Sequence, residues 1–158
     1  ALSASIGPFV GQNVGANRHD RADEAMELSF KFSFYWGIVI AIILAAFGKQ
    51  LVKLFDTNPE VINSASTYLL IVPISYGAWG ALMMSSAIFN SLGRPLYSTA
   101  MSVGRLIIVY VPLAYIGKLL LGLPGIFLAA AISNTLLGLV GYLWNRSLYS
   151  KNTGDALG

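Results

Sequence analysis

The sequence predicts an all-α, polytopic membrane helix bundle, with one partial helix followed by four transmembrane helices. Three observations carry this. The 158 residues are 56% hydrophobic and 11% charged, with a mean hydropathy of +0.67, whereas a soluble domain carries about 25% charged residues. A water-soluble chain this short has too much surface for its volume to hide so many apolar groups. The apolar residues also gather into stretches of about 20, enough at about 1.5 Å per residue to cross about 30 Å of hydrocarbon. The breaks between stretches are short and punctuated by Gly, Pro, Asn and Asp, leaving no room for a separate soluble domain.

Helices are expected at about 1–15, 22–55, 59–92, 95–120 and 125–150. The chain opens on Ala1-Leu-Ser-Ala-Ser-Ile6, already inside a helical pattern, with no initiator Met and no signal-peptide layout. The first helix is too short to span and reads as the end of a helix in a longer protein. The second holds its apolar stretch at 28–47. The third begins at Asp56-Thr-Asn-Pro-Glu60, where a capping residue precedes Pro59 and an acid follows in the first turn. It is longer than a span needs, which implies tilt or projection into water. Gly93-Arg-Pro95 ends the third helix and starts the fourth, and Gly122-Leu-Pro-Gly125 does the same before the fifth. The polar tail at 151–158 is expected to be disordered and cytoplasmic.

Successive spans alternate sides. Arg18, Arg21, Arg94, Arg146 and Lys151 fall on one side, and Lys49, Lys53 and Lys118 on the other. The majority places the first group and the C-terminus in the cytoplasm. The net charge is +3 and the basic residues are scattered, so there is no surface for nucleic acid. Without cysteine there is no disulfide and no thiolate metal site. His19, the single histidine, stands in a charged loop beside Asp20 and reads as solvated. No metal-ligand grouping and no nucleophile with a histidine partner is visible, so neither an enzyme nor a metal or organic cofactor is expected.

Ser3, Gly7, Gly11 and Gly15 recur every four residues and share one helix face. Such a face lets a second backbone come close. Packing alone accounts for it; the sharper alternative is a mobile, gating contact. Pro8 lies in the same stretch and removes a helix hydrogen bond unless the helix starts there.

Gln12 and Asn13 close that segment, in Pro8-Phe-Val-Gly-Gln-Asn-Val-Gly-Ala16, and Arg18, Arg21 and Ala22-Asp-Glu-Ala25 follow. This pattern resembles the loop after the eighth helix of the multidrug and toxic compound extrusion (MATE) transporters. Ile88-Phe-Asn-Ser-Leu-Gly-Arg-Pro95 is similar to that family's loop between its tenth and eleventh helices, and Pro112 fits the proline common in the eleventh. The resemblance covers nearly the whole chain, in order. It implies half of a twelve-helix, two-lobe transporter, with 1–150 as a partial C-terminal lobe in a multi-pass protein of the bacterial inner membrane. The partners implied are the lipid bilayer, an N-terminal lobe, and organic cations or drug-like small molecules. Export would be driven by inward flow of sodium ions or protons, with two lobes rocking around a shared cavity.

A cation substrate needs acids, aromatic faces or polarizable side chains. Some branches of the family place a carboxylate in the middle of the tenth helix; the matching stretch here, Ser75-Tyr-Gly-Ala-Trp-Gly-Ala-Leu-Met-Met84, has none. The coupling sodium ion or proton is therefore expected to bind mainly outside this chain. Tyr68, Tyr76, Trp79, Met83 and Met84 are the substrate-cavity candidates, with Pro73 and Gly77 as bends around them. The competing account packs all five against lipid or neighbouring helices. Asn134, well inside the fifth helix, joins helices first and offers a cavity polar group second, and Asn90 is a second buried amide.

Arg105 is an intramembrane charge. It lies about 15 Å along the fourth helix from Pro95, so it must face protein or water. Ser98, Thr99 and Ser102 make the preceding turns polar, which favours a helix that projects into water with Arg105 snorkelling to the interface. The alternative pairs it with an acid of the other lobe.

Two other functions remain. A lipid-linked oligosaccharide flippase of the related fold would need a strongly cationic cavity, for which Arg105 is the single candidate. A non-transporting membrane assembly subunit would need no wet cavity, and its polar groups would all be covered by helix contacts.

Overall fold

The computed structural model describes the backbone of residues 2–155 and the side chains of residues 3–147. Among the described residues every regular element is helical. Helix α1 is Leu2–Gly15, running straight through Pro8, and α2 is His19–Lys53. The third rod is built of α3 (Pro59–Ile71), a 3-10 turn at Val72–Ser75 and α4 (Tyr76–Ser91). The fourth is built of α5 (Pro95–Val103), a π-helical segment at Gly104–Tyr110 and α6 (Val111–Leu121). The fifth is α7, Leu123–Asp155. Four stretches are long and apolar enough to cross a membrane: His19–Lys53, Pro59–Ser91, Pro95–Leu121 and Leu123–Ser147. The protein is thus a multi-pass membrane protein.

Local chemistry explains the ends. The Asn58 side chain accepts the Glu60 amide at 2.9 Å, and Asp56 Oδ1 accepts the Asn58 amide at 2.8 Å. Together they hold the cap in front of Pro59. After α4 the chain turns on Gly93, at φ +70°. The Arg94 amide there reaches Phe89 O at 2.8 Å and the Gly93 amide reaches Asn90 O at 3.2 Å, a Schellman closure.

Both breaks within rods follow from proline. Pro73 has no N–H to give to the carbonyl of Leu69, and the helix tightens to a 3-10 turn around it. The Pro112 ring would press on the carbonyl of Ile108, and the helix widens to π just ahead of it. Gly77 does not share the bending role expected of it. It lies inside α4, where a methyl group would meet the Phe34 backbone at 3.1 Å.

Three boundaries differ from expectation. Helix α2 begins at His19 rather than about 22, since no helix breaker follows Arg18. Gly122 alone, at φ +66°, separates α6 from α7, because Leu123 and Pro124 suit the first helical turn. Helix α7 continues to Asp155 where a disordered tail from Lys151 was expected; neither Gly nor Pro interrupts it between Gly141 and Gly154. Residues 156–158 of that tail lie outside the described residues.

Helix α4 sits at the centre, touching α1, α2, α5 and α7. One core joins Ile6 and Val10 of α1, Ala22, Met26 and Phe30 of α2, and Met84 and Ile88 of α4. A second joins Leu82 and Phe89 of α4 to Met101 of α5, with Tyr97, Leu137 and Trp144 packed around them. Small residues set the spacing. A methyl group on Gly37 would fall on the Gly77 backbone, and one on Gly138 would fall on Ala78. Along the α1 stripe, Gly7 and Gly11 press on the carbonyls of Ala87 and Ser91, while Gly15 has open space beside it.

Overpacking a tight contact costs about 1–3 kcal/mol. Gly37→Ala is therefore expected to lower the thermal midpoint of the detergent-solubilised protein by several degrees, with Gly15→Ala as the neutral control. Equal midpoints for the two variants would refute close backbone packing of α2 on α4.

Candidate functional site

Four polar or aromatic side chains meet where the rods break. Ser75 closes the 3-10 turn, its Oγ donating to Val72 O at 2.8 Å. The same Oγ accepts from Asn134 Nδ2 at 3.1 Å. Asn134 Oδ1 in turn accepts from an Arg105 Nη at 3.1 Å. The Arg105 guanidinium also lies over the Trp79 ring, 6.0 Å from its centroid. Ser75 and Asn134 are buried, 1% and 4% exposed, and Arg105 is half-buried. The cluster ties α7 to the 3-10 turn of the third rod and the π-segment of the fourth.

Arg105 thus has a partner that neither reading of the sequence anticipated. It turns inward onto Asn134 instead of reaching for the interface. The extra residue per turn of a π-helix displaces the side chains that it carries relative to an α-helix, and Arg105 is the second residue of that segment.

Beside the cluster lies a cavity of about 500 Å³ between α1, α2 and α4. Phe32, Trp36, Tyr76, Met83 and Met84 line it, with Ser3 and Ser33 as polar members. Tyr76 joins cavity to cluster, because its ring meets Trp79 edge-on at 6.4 Å. Of the sequence candidates, Tyr76, Met83 and Met84 share this cavity, Met84 buried and Met83 half-exposed. Trp79 and Asn134 belong to the adjoining cluster. Tyr68 packs edge-on against Phe127 at 5.3 Å and meets Tyr76 through a side-chain hydrogen bond.

Other residues fall elsewhere. Asn90 is exposed on this chain, not buried as expected, because it lies in the last turn of α4. Gln12 is exposed, and Asn13 donates to Phe9 O at 2.8 Å within its own helix. Sequence reasoning missed Phe32 and Trp36, whose spacing of four on one face of α2 was a usable signal. It also missed Ser75, which carried none, and Asn145, which is buried and donates to Gly141 O at 3.0 Å. Among the described residues no group of acids, histidines or cysteines could hold a metal ion, and the ion pair is Lys31–Glu27, at 2.6 Å in the early turns of α2.

Membrane-length helices, broken beside a shared polar cluster, are the architecture of a secondary transporter. The sequence pattern of the MatE family matches residues 1–116, and the chain belongs to that family of multidrug and toxic compound extrusion transporters. It is 37% identical over 142 residues to a FAD transporter of Shewanella oneidensis, covering 90% of this chain and 31% of that protein. It is 28% identical over 116 residues to the probable multidrug resistance protein YoeA of Bacillus subtilis, covering 73% and 25%. The fold matches the Vibrio cholerae MATE transporter VcmN in its bent form with a TM-score of 0.89 at 28% identity, over 96% of this chain and 35% of that one. The chain therefore spans about a third or less of the length of these relatives. The family resemblance read from the sequence is the family that these matches show.

If the cluster acts as a unit, its members couple. Asn134→Ala is expected to cost about 0.6 kcal/mol of stability for each hydrogen bond lost, the average for intramembrane hydrogen bonds. The double variant with Arg105→Gln should cost less than the sum of the two singles. Strict additivity in reversible unfolding would show that the two residues do not cooperate.

Proposed function

We propose that this chain forms most of one lobe of a two-lobe exporter. The exporter moves drug-like aromatic solutes outward by alternating access and is driven by inward sodium ions or protons. The observation that carries the reading is the match of the MatE family pattern to residues 1–116; Phe32, Trp36, Tyr76, Met83 and Met84 supply aromatic and thioether surface on this lobe. Flat apolar faces and thioethers accept many aromatic shapes with few directional demands. The named substrates of relatives fit that breadth, from FAD to multidrug resistance. The aromatic walls suit organic cations, the substrates expected from the family, but they do not require a cation.

The four spans hold no carboxylate in their apolar stretches. The acids of α2 lie in its opening turns, and Glu60 lies in the first turn of α3. The driving ion is accordingly assigned to carboxylates contributed by the other lobe. The basic-residue asymmetry supports a cytoplasmic C-terminus and cytoplasmic loops around Arg18 and Arg94, and the family supports a bacterial inner membrane.

Transport is tested with the whole protein in proteoliposomes, imposing sodium and proton gradients separately and following a fluorescent dye. One gradient should drive accumulation and its collapse should abolish it. Accumulation that survives collapse of both would remove ion coupling. Orientation is open to a clean test because the chain lacks cysteine. Ser147→Cys should react with an impermeant maleimide from the cytoplasmic face and Thr57→Cys from the outer face. The reverse pattern would invert the topology.

A further inference from the structure

We infer that the 3-10 turn at Val72–Ser75 is a hinge, and that α3 is an outer gate which swings against α4 during the transport cycle. The inference rests on the transport reading and names a moving part for it.

Three observations lead there. First, the third rod breaks at one place. Pro73 offers no N–H to Leu69 O, and the turn that absorbs this is four residues long. A short 3-10 stretch inside a long helix lets a rod bend at few dihedrals. Second, the two halves of the rod are held differently. Helix α4 is held by backbone: a methyl group on Gly37 would fall on the Gly77 backbone, and one on Gly138 on the carbonyl of Ala78. These contacts begin just beyond the turn and leave α4 no room to tilt. Helix α3 is held by side chains. Leu69 rests beside Gly48 of α2, and the Tyr68 ring meets Phe127 of α7 edge-on at 5.3 Å. Side chains change rotamer readily, so these contacts can slide where backbone contacts cannot. Third, side-chain hydrogen bonds clip the hinge. Tyr68 bonds Tyr76 across it, from the last turn of α3 to the first of α4. Ser75 accepts from Asn134 of α7 at 3.1 Å.

Intramembrane bonds of this kind are weak, and two together shift a population by less than about tenfold. A clip of that strength holds an arm closed and lets it open within a cycle. Each of these contacts joins helices of this chain, so none depends on where the other lobe sits. Helix α3 starts at the 54–58 connection, which the basic-residue asymmetry puts on the outer side.

Pinning α3 tests this. A Cβ on Gly48 would lie 3.1 Å from Leu69 Cβ, and a Cβ on Gly141 of α7 would lie 3.1 Å from Ser85 Cβ of α4, both close to the reach of a disulfide. The whole protein, with any cysteine outside this chain replaced, carries either Gly48→Cys with Leu69→Cys or Gly141→Cys with Ser85→Cys. Gradient-driven ethidium uptake is measured in proteoliposomes oxidised with copper phenanthroline, and again after reduction with dithiothreitol. Oxidising the first pair should lower uptake in proportion to the cross-linked fraction, and reduction should restore it. The second pair, on the α4 side of the hinge, should transport equally in both states. Equal uptake by the first pair, oxidised and reduced, would overturn the hinge. Loss with both pairs would show that the whole lobe must loosen and would overturn it too.

A second measurement does not need the cross-links. Spin labels on Glu60→Cys and Asn90→Cys stand near the two ends of the third rod. Double electron–electron resonance on the whole protein should give two separations whose weights change with sodium or pH. Tyr68→Phe, which removes the bond across the hinge, should shift those weights under fixed conditions. A single separation under every condition would leave no hinge. Wild-type protein that moves no ethidium under either gradient would remove the transport reading, and the separations would still decide the hinge.

Discussion

The structure depends on how closely α4 can approach its neighbours. Inside a bilayer, apolar side chains gain little by leaving lipid for one another, so helices are held by van der Waals packing and interhelical hydrogen bonds. Both are short-ranged and both need backbones brought near. Gly37 against Gly77, Gly80 against Ser33, and Gly138 against Ala78 supply that nearness on two sides of α4. At the first of these crossings Ser33 Oγ donates to Gly77 O at 3.1 Å, a contact that the absent side chain of Gly77 makes possible. The α1 stripe repeats the device on a third side, through Gly7 and Gly11.

Close packing also makes the broken helices tolerable. A 3-10 turn and a π-segment leave backbone groups poorly paired, and hydrocarbon offers no water to satisfy them. Ser75 takes up Val72 O within the 3-10 turn. Asn134 spans from that turn to Arg105 in the π-segment. The same residues thus fix the relative position of three rods. Irregular backbone at membrane depth survives where protein or a wet cavity covers it, and here α7 provides part of the cover.

The sequence carried whatever is local. The Asp56–Glu60 cap, the Gly93 closure and the four apolar stretches are set by residues within a turn of one another, and each stands where the residues put it. Pro73 marked one break as a bend; Pro112 was read as a family proline, and the π-segment ahead of it was not expected. What a break becomes was not legible, because whether a helix tightens or widens at a proline depends on the neighbours packed against it. The cluster was less legible still. Ser75 and Asn134 are 59 residues apart, and Arg105 finds Asn134 across 29. Reading Arg105 as an interfacial residue followed correctly from Ser98, Thr99 and Ser102; it missed the displacement introduced by the π-segment. Gly77 was misread for a similar reason, since a glycine that admits a backbone and a glycine that bends a helix look alike in sequence.

The way Arg105 is satisfied decides the electrical character of the site. A buried arginine paired with a carboxylate adds no net charge, and its field fades within a few ångströms. Asn134 and Trp79 stabilise the guanidinium through a dipole and a quadrupole and leave the full positive charge in place. In a medium of low polarity that charge acts over a longer range than it would in water. No carboxylate of this chain's apolar stretches is available to cancel it.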